Sequence, residues 1–396
     1  MLKKLIFIAL GATVTSPVFA GGWETGKLDT AFTYEDGNYA EVSYGSLDYS
    51  IKGKIDSGVT HDMAKDQTRL SLSGKFQIGN LHIGLTSFDS GAIQMDGQSA
   101  AADQSTCYTN LGAMSAAVAS ADLAGQGAAL ANMKTNCSIV PSADVNLRTN
   151  ALIARYGVND QLSVIGGIRQ INLADSTVAT AKTNYTINAK SGSGVVYGFA
   201  YEVPSIALKA EVVRAESTSI GVSGNAYGGL VSSVPGGGPL PLSDSSTVGV
   251  PETLTLKFQT GVSQKTLILA SAHHAKWGSA QIIADVAGDS LDVSSAFQDT
   301  TAYSLGLAHR INERTIASLS YSQEEGSGST STSAFTMTNG SKSLSLGVKY
   351  NIDAISITGG LTHSKVGDVT VASSGLSSIY KGNSVTAIGI KVGYNF

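Results

Sequence analysis

Beyond its first twenty residues, this 396-residue chain has no run of about 18 consecutive apolar residues, the length a membrane-spanning helix needs. A bundle of such helices is therefore excluded. Charge is also scarce: charged residues make up 14% of the chain, against roughly 25% in ordinary globular domains. The net charge of −4 gives no electrostatic footprint for nucleic acid or another polyanion. Proline is rare, at 7 residues, and there are only two cysteines, Cys107 and Cys137. Nothing around them supplies further zinc ligands at familiar spacing, and two such cysteines in an exported chain most simply form one disulfide. His273 and His274 do not make a metal site, because neighbouring side chains on a strand point to opposite faces. The "GGGP" at 236–239 has no following Gly-Lys-Ser/Thr and is no phosphate loop. No Ser/His pairing has the local context of a hydrolase. We expect neither a metal, a cofactor nor an enzymatic role.

The N-terminus shows where the chain goes. Lys3 and Lys4 precede the apolar "LIFIALGA", and Val18-Phe19-Ala20 offers a small-x-small cleavage site. Residues 1–20 thus read as a secretory signal peptide, too short in its apolar part to span a bilayer.

What the mature chain has in abundance is glycine, 45 residues, and alternation. In "TRLSLSGKFQI", Leu70, Leu72, Phe76 and Ile78 share one parity, while Arg69, Ser71, Ser73, Lys75 and Gln77 share the other. A helix would spread these residues around its circumference; a strand collects them on one side. The same pattern recurs, predicting fourteen strands near 39–52, 67–78, 81–88, 148–157, 161–172, 194–203, 206–216, 252–260, 265–277, 300–310, 314–322, 342–350, 355–364 and 384–396. A parity change near Gly45 predicts a bulge in the first.

The connections alternate in length. Short ones such as "GN" at 79–80, "GVND", "GVSQ", "INE" and "NIDA" are separated by long Ser/Gly-rich excursions. Long and short loops then lie at opposite ends of an antiparallel meander, the arrangement of an outer-membrane β-barrel. In a bilayer every backbone polar group needs an internal partner, so strands span only as a closed barrel. The expected fold is all-β: a transmembrane antiparallel barrel of about 14 strands over 39–396, preceded by a short periplasmic or hatch segment at 21–38. The final strand, ending at Phe396, would close it. Tyrosines near strand ends, including Tyr156, Tyr201, Tyr350 and Tyr394, suit an interfacial girdle.

One excursion, 89–147, lacks strand alternation. Its alanine-rich stretch between the cysteines predicts short helices with Leu111, Met114, Val118, Leu123, Leu130 and Met133 as apolar faces. Such helices in an extracellular loop need cover, from the barrel mouth or from an apolar ligand.

"VPETLTLKFQTGVSQKTLILASAHHAKWG" (Val250–Gly278) resembles a segment of the outer-membrane long-chain fatty-acid transporter (FadL-like) family, with Pro251, Gly261 and Trp277 in the matching places. The start "GGWETGKLDTAFTYEDGNYAEVSYG" looks like a divergent branch, and "VGYNF" is compatible. An Asn-Pro-Ala stretch is missing, and the region before the first strand is short. The family's N-terminal hatch is therefore expected to be reduced here. The resemblance implies a monomeric fourteen-stranded barrel in the bacterial outer membrane for passive uptake of fatty acids or other hydrophobic molecules. Leu111, Met114, Val118, Leu123, Leu130 and Met133 become candidate capture residues. A kinked third strand, marked by Gly84 or Gly91, would open sideways into outer-membrane lipid. A carboxylate head would meet a lumen cation, with Arg148, Arg155, Arg169, Lys257 and Lys349 as candidates. Phe396 would be presented to the barrel-assembly machinery. A structural or adhesive surface barrel, or a general diffusion porin, is the alternative.

Overall fold

The computed structural model describes residues 22–100, 104–233, 238–286, 292–326, 328, 330–331, 333–373 and 375–396. The expected signal peptide and residues 236–237 of "GGGP" lie outside them. Fourteen antiparallel strands make the wall: β1 Tyr39–Ser50, β2 Gln67–Ile78, β3 Leu81–Asp96, β4 Ser142–Gly157, β5 Leu162–Leu173, β6 Lys190–Val203, β7 Leu208–Ala215, β8 Thr253–Gly261, β9 Thr266–Ala275, β10 Thr300–Arg310, β11 Thr315–Glu324, β12 Ser341–Ile352, β13 Ile355–Val366 and β14 Ser384–Asn395. Each pairs with its sequence neighbours, and β1 pairs with both β2 and β14, so the sheet closes on itself.

Alternation decides which side chains face out. Leu72, Phe76 and Ile78 on β2, Leu254, Leu256 and Phe258 on β8, and Leu344, Leu346 and Val348 on β12 are all exposed, Ile78 at 67%. Large apolar side chains this exposed around a closed wall form the belt that acyl chains solvate. The opposite parity turns Ser71, Ser73, Lys75, Lys257 and Ser343 into the lumen. Short turns lie at one end, and the longer connections at the other.

The first strand differs from expectation. Its register is unbroken on both sides, Gly45 lying opposite Gly389 and opposite Arg69, so there is no bulge there. The parity changes because the strand leaves the bilayer. Below Gly45 the outward Val42 and Tyr44 meet lipid; above it, Leu47, Tyr49 and Ile51 turn inward and are buried. The same inversion lengthens two other elements. β3 runs on past 88 to Asp96 and β4 starts at Ser142 rather than 148, with Ile93, Met95, Val145 and Leu147 buried inside. The apolar core therefore fills the extracellular half of the barrel. It joins these residues to Trp23, Trp277, Phe297, Phe335, Met337 and Tyr380. Small sheets in the long loops, including 218–221 with 247–250 and 369–373 with 376–380, cap it.

Above β3, α1 (Gln104–Ala119) and α2 (Leu123–Asn136) form the helical hairpin expected between the cysteines. The Asp122 side chain caps α2 by accepting from the Gly125 amide at 3.0 Å. A Cys107–Cys137 disulfide ties the hairpin's base. At the other end of the barrel, β14 is paired with β1 along its whole length. The Phe396 amide donates to the Asn38 carbonyl at 3.0 Å, and its ring stacks on Tyr394 and meets Phe76 edge-on.

Candidate functional site

Residues 22–38 run down the inside of the barrel, and their side chains are fixed by the wall. Trp23 is fully buried against Trp277, ring centroids 6.3 Å apart. The Glu24 carboxylate meets His273 Nε2 at 2.8 Å, and Lys257 Nζ meets Asp29 Oδ1 at 2.8 Å. Lower down, Thr30 and Tyr34 both donate hydroxyl hydrogens to the Glu211 carboxylate at 2.6 Å. Arg155 donates to the Thr33 carbonyl and lies 4.3 Å above the Tyr34 ring. Lys349 approaches Glu35 at 3.8 Å. Residues 22–38 thus lie within the lumen, held by side chains of the wall. Burial pushes the Asp29 carboxyl up, but Lys257 and Lys391 outweigh burial and hold it below the usual carboxylate range. Burial, reinforced by Glu211, pushes the Tyr34 hydroxyl up, so it stays a donor.

Beside this segment lies a cavity of about 410 Å³. Hydroxyls line much of it, among them Ser43, Ser71, Ser73, Ser271, Ser304 and Ser320; Leu28, Phe88 and Leu269 add apolar surface. Cross-strand hydroxyl pairs, Ser43 with Ser71 at 2.6 Å and Ser271 with Ser304 at 2.7 Å, satisfy part of the wall. Arg69 Nε and Glu324 Oε1, both on the lining, are buried and have no hydrogen-bond partner among the described residues.

The wall beside the cavity is interrupted. The β2–β3 ladder ends at Ser71 and Phe88, and the two segments meet again only at Ala64 and Met95. Between these points the Leu70 amide donates to the Asp89 side chain at 2.9 Å. The edge of β3 pairs instead with the N-terminal segment: Thr25 N to Ser90 O at 3.0 Å, and Ala92 N to Trp23 O at 3.1 Å. The β3–β4 register slips between Asp89 and Gly91. Arg69, Leu70, Phe88 and Asp89 flank this interruption and also line the cavity.

No family profile and no curated protein sequence matches the chain. Solved structures do. A FadL homologue of Pseudomonas aeruginosa shares 10% identity over 92% of each chain, with a TM-score of 0.67. The fold is the FadL-type outer-membrane barrel. The Pseudomonas putida toluene transporter TodX is similar at 14% identity over 95% of each chain, TM-score 0.60. The Ralstonia pickettii toluene transporter TbuX is similar at 12% over 99% of each, TM-score 0.58.

Within this FadL-type barrel the residues singled out from sequence separate. Met133 is buried with both cysteines and Leu376, while Leu111 and Met114 pack partly against that cluster. Leu130 approaches Gly375. Val118 and Leu123, at the tip of the hairpin, are exposed, Leu123 at 81%. Gly84 sits in an unbroken ladder, where an added Cβ would come within 2.4 Å of the Phe32 ring. The register slip falls at Gly91 instead. Arg155, Arg169, Lys257 and Lys349 face inward and are engaged: Arg169 donates to the Glu216 and Pro251 carbonyls, the others hold the N-terminal segment. Arg148 faces outward, not into the lumen, because Thr149, Ala151 and Ile153 take the inward parity of β4. It pairs with Asp89 at 2.8 Å on the outer side of the interruption. His273 turns inward and His274 outward, toward Thr301. Sequence reasoning missed Lys27, Arg69 and Glu324, all three on the lining of the cavity. Their signal was weak: isolated charges at inward positions, with no spacing to connect them.

Proposed function

We propose that this barrel carries hydrophobic small molecules, long-chain fatty acids or hydrocarbons, passively across the outer membrane, releasing them sideways through the interrupted wall. The observation that carries the reading is the interruption beside Asp89–Gly91, flanked by residues of the internal cavity while the N-terminal segment occupies the lumen. A seated segment disfavours an open diffusion pore. The neighbouring folds, among them toluene transporters, support the cargo class. In this reading Val118 and Leu123 make first contact with cargo. Leu111, Met114, Leu130 and Met133 form the apolar face behind them, and Arg148 meets a carboxylate head at the outer lip. Arg169 stabilises the wall around the N-terminal segment. The barrel acts as a monomer, delivered to the membrane through its Phe396 ending.

Two experiments test this. Replacing Leu111, Met114 and Leu130 with Asp is expected to lower uptake of a radiolabelled fatty acid or toluene while heat-modifiable migration persists. A Leu70→Cys/Asp89→Cys pair, oxidised to stitch the interruption, is expected to stop uptake until reductant is added. Undiminished uptake in the stitched, folded barrel refutes lateral release. Large steady currents across planar bilayers would instead establish a porin.

A further inference from the structure

Two lysines on the outer wall stand opposite each other with no described carboxylate to neutralise them. Lys342 on β12 is the register partner of Lys365 on β13, and both are exposed. Like charges directly opposite on one face of a sheet repel. Neither lysine forms an ion pair with any described carboxylate, Glu325 just after β11 and Asp48 on β1 included. At two other places on the outer wall, cations are matched from within the chain. Arg148 has Asp89, and Arg214 and Lys276 share Glu252.

Their height identifies what can match them. Each lysine lies ten residues above its periplasmic turn, counted from Ile352 and from Ile355. At roughly 3.3 Å per residue and a tilt near 40°, that is about 25 Å, the height of a barrel's apolar belt. The belt is visible below them as Ile352, Tyr350, Val348, Leu346 and Leu344 on β12 and as Ile355 and Leu361 on β13. Both ammonium groups thus stand where acyl chains give way to headgroups, on the face turned to lipid. Polar neighbours complete the patch: Gln323 opposite Lys342, and His363 below Lys365, its Nδ1 3.1 Å from Thr386 Oγ1.

We propose that Lys342 and Lys365 form a binding site for the phosphate of an outer-leaflet lipid headgroup, which bridges the two ammonium groups while its acyl chains lie on Leu344, Leu346 and Leu361. The site is independent of cargo uptake.

The folded protein in detergent is titrated with lipopolysaccharide, with enzymatically dephosphorylated lipopolysaccharide and with inorganic phosphate. Bound lipid is counted by native mass spectrometry, and unfolding is followed by the heat-modifiable band. Lipopolysaccharide is expected to bind and raise the unfolding midpoint, and the other two probes to do neither. Lys342→Gln/Lys365→Gln is expected to weaken binding at least tenfold and Lys342→Arg/Lys365→Arg to preserve it. Arg214→Gln/Lys276→Gln should leave it unchanged. Without lipid the Gln pair should unfold at or above the wild-type temperature, because repulsion is removed; with lipopolysaccharide the order should reverse. Equal affinity in wild type and Gln pair overturns the site. Equal binding of the dephosphorylated lipid reduces it to acyl contact, and an equal response to inorganic phosphate makes it a bare-anion site; both overturn the proposal. Each single Gln variant serves in place of the pair if the pair fails to fold.

Discussion

Glu211 is where the N-terminal segment is most firmly held, and its removal should unseat that segment. The carboxylate is almost wholly buried and receives the Thr30 and Tyr34 hydroxyls at 2.6 Å each, with Lys257 Nζ at 3.7 Å. Hydrogen bonds to a charged acceptor are each worth about 1.5–3 kcal/mol. Glu211→Ala removes two, so the seated state loses about 3–6 kcal/mol. The unseated population should rise by a factor on the order of 10² or more. Unseating opens the aqueous lumen, so the readout is current across a planar bilayer: rare openings in wild type, frequent ones in Glu211→Ala. Tyr34→Phe removes one bond but keeps the ring beneath Arg155 and Lys209, and should raise opening roughly 10–100-fold. Adding Thr30→Val to Glu211→Ala should change nothing further, because the acceptor has gone. An opening frequency for Glu211→Ala within threefold of wild type, in a barrel that keeps its heat-modifiable migration, refutes Glu211 as the anchor.

Asp29 makes seating depend on pH. Its carboxyl is held below the usual range in the seated state, so its contribution is complete above the free value, about 3.9. The contribution is lost as pH falls through the seated value; openings should multiply below about pH 4, and Asp29→Asn should abolish that component. Gly84→Ala drives a Cβ into the Phe32 ring, at a cost of about 1–3 kcal/mol, and Phe32→Ala in the same chain should relieve it; thermal unfolding of the four variants measures the coupling. Cys107→Ser/Cys137→Ser should cost the hairpin about 3–4 kcal/mol of loop-closure entropy. Limited proteolysis would then cut within 104–136 while the barrel survives; an uncut hairpin refutes the tether.

The barrel was legible because its rule is local. Within the bilayer, alternation is the only pattern that satisfies lipid outside and polar lumen inside, so Leu70, Leu72 and Phe76 declared their strand unaided. That rule fails above Gly45, where water replaces lipid and the inward parity becomes the apolar one. The inversion resembles a bulge when only the sequence is read, and it hid the upper parts of β3 and β4. Much of the candidate site was beyond the same reading. Lys27, Arg69 and Glu324 line one cavity only because β2, β11 and residues 22–38 converge, a matter of closure and stagger that no spacing records. Parity placed Arg155, Arg169, Lys257 and Lys349 inward, yet could not tell that each is committed to holding the wall or the N-terminal segment.

The inverted upper half also bears on the order of assembly. Leu47, Ile51, Ile93, Met95, Val145 and the aromatic rings of the long loops meet only at the extracellular end. Their segments start in the periplasm and must all cross the bilayer before any can find its partners. The core is therefore the last part of the molecule to form, and its closure cannot be what draws the strands across. Among the barrel's own interactions, those that favour insertion are the belt and strand pairing. Once the upper core has packed, it resists withdrawal of every hairpin it joins, so the barrel should insert reversibly in its early stages and become locked at the end.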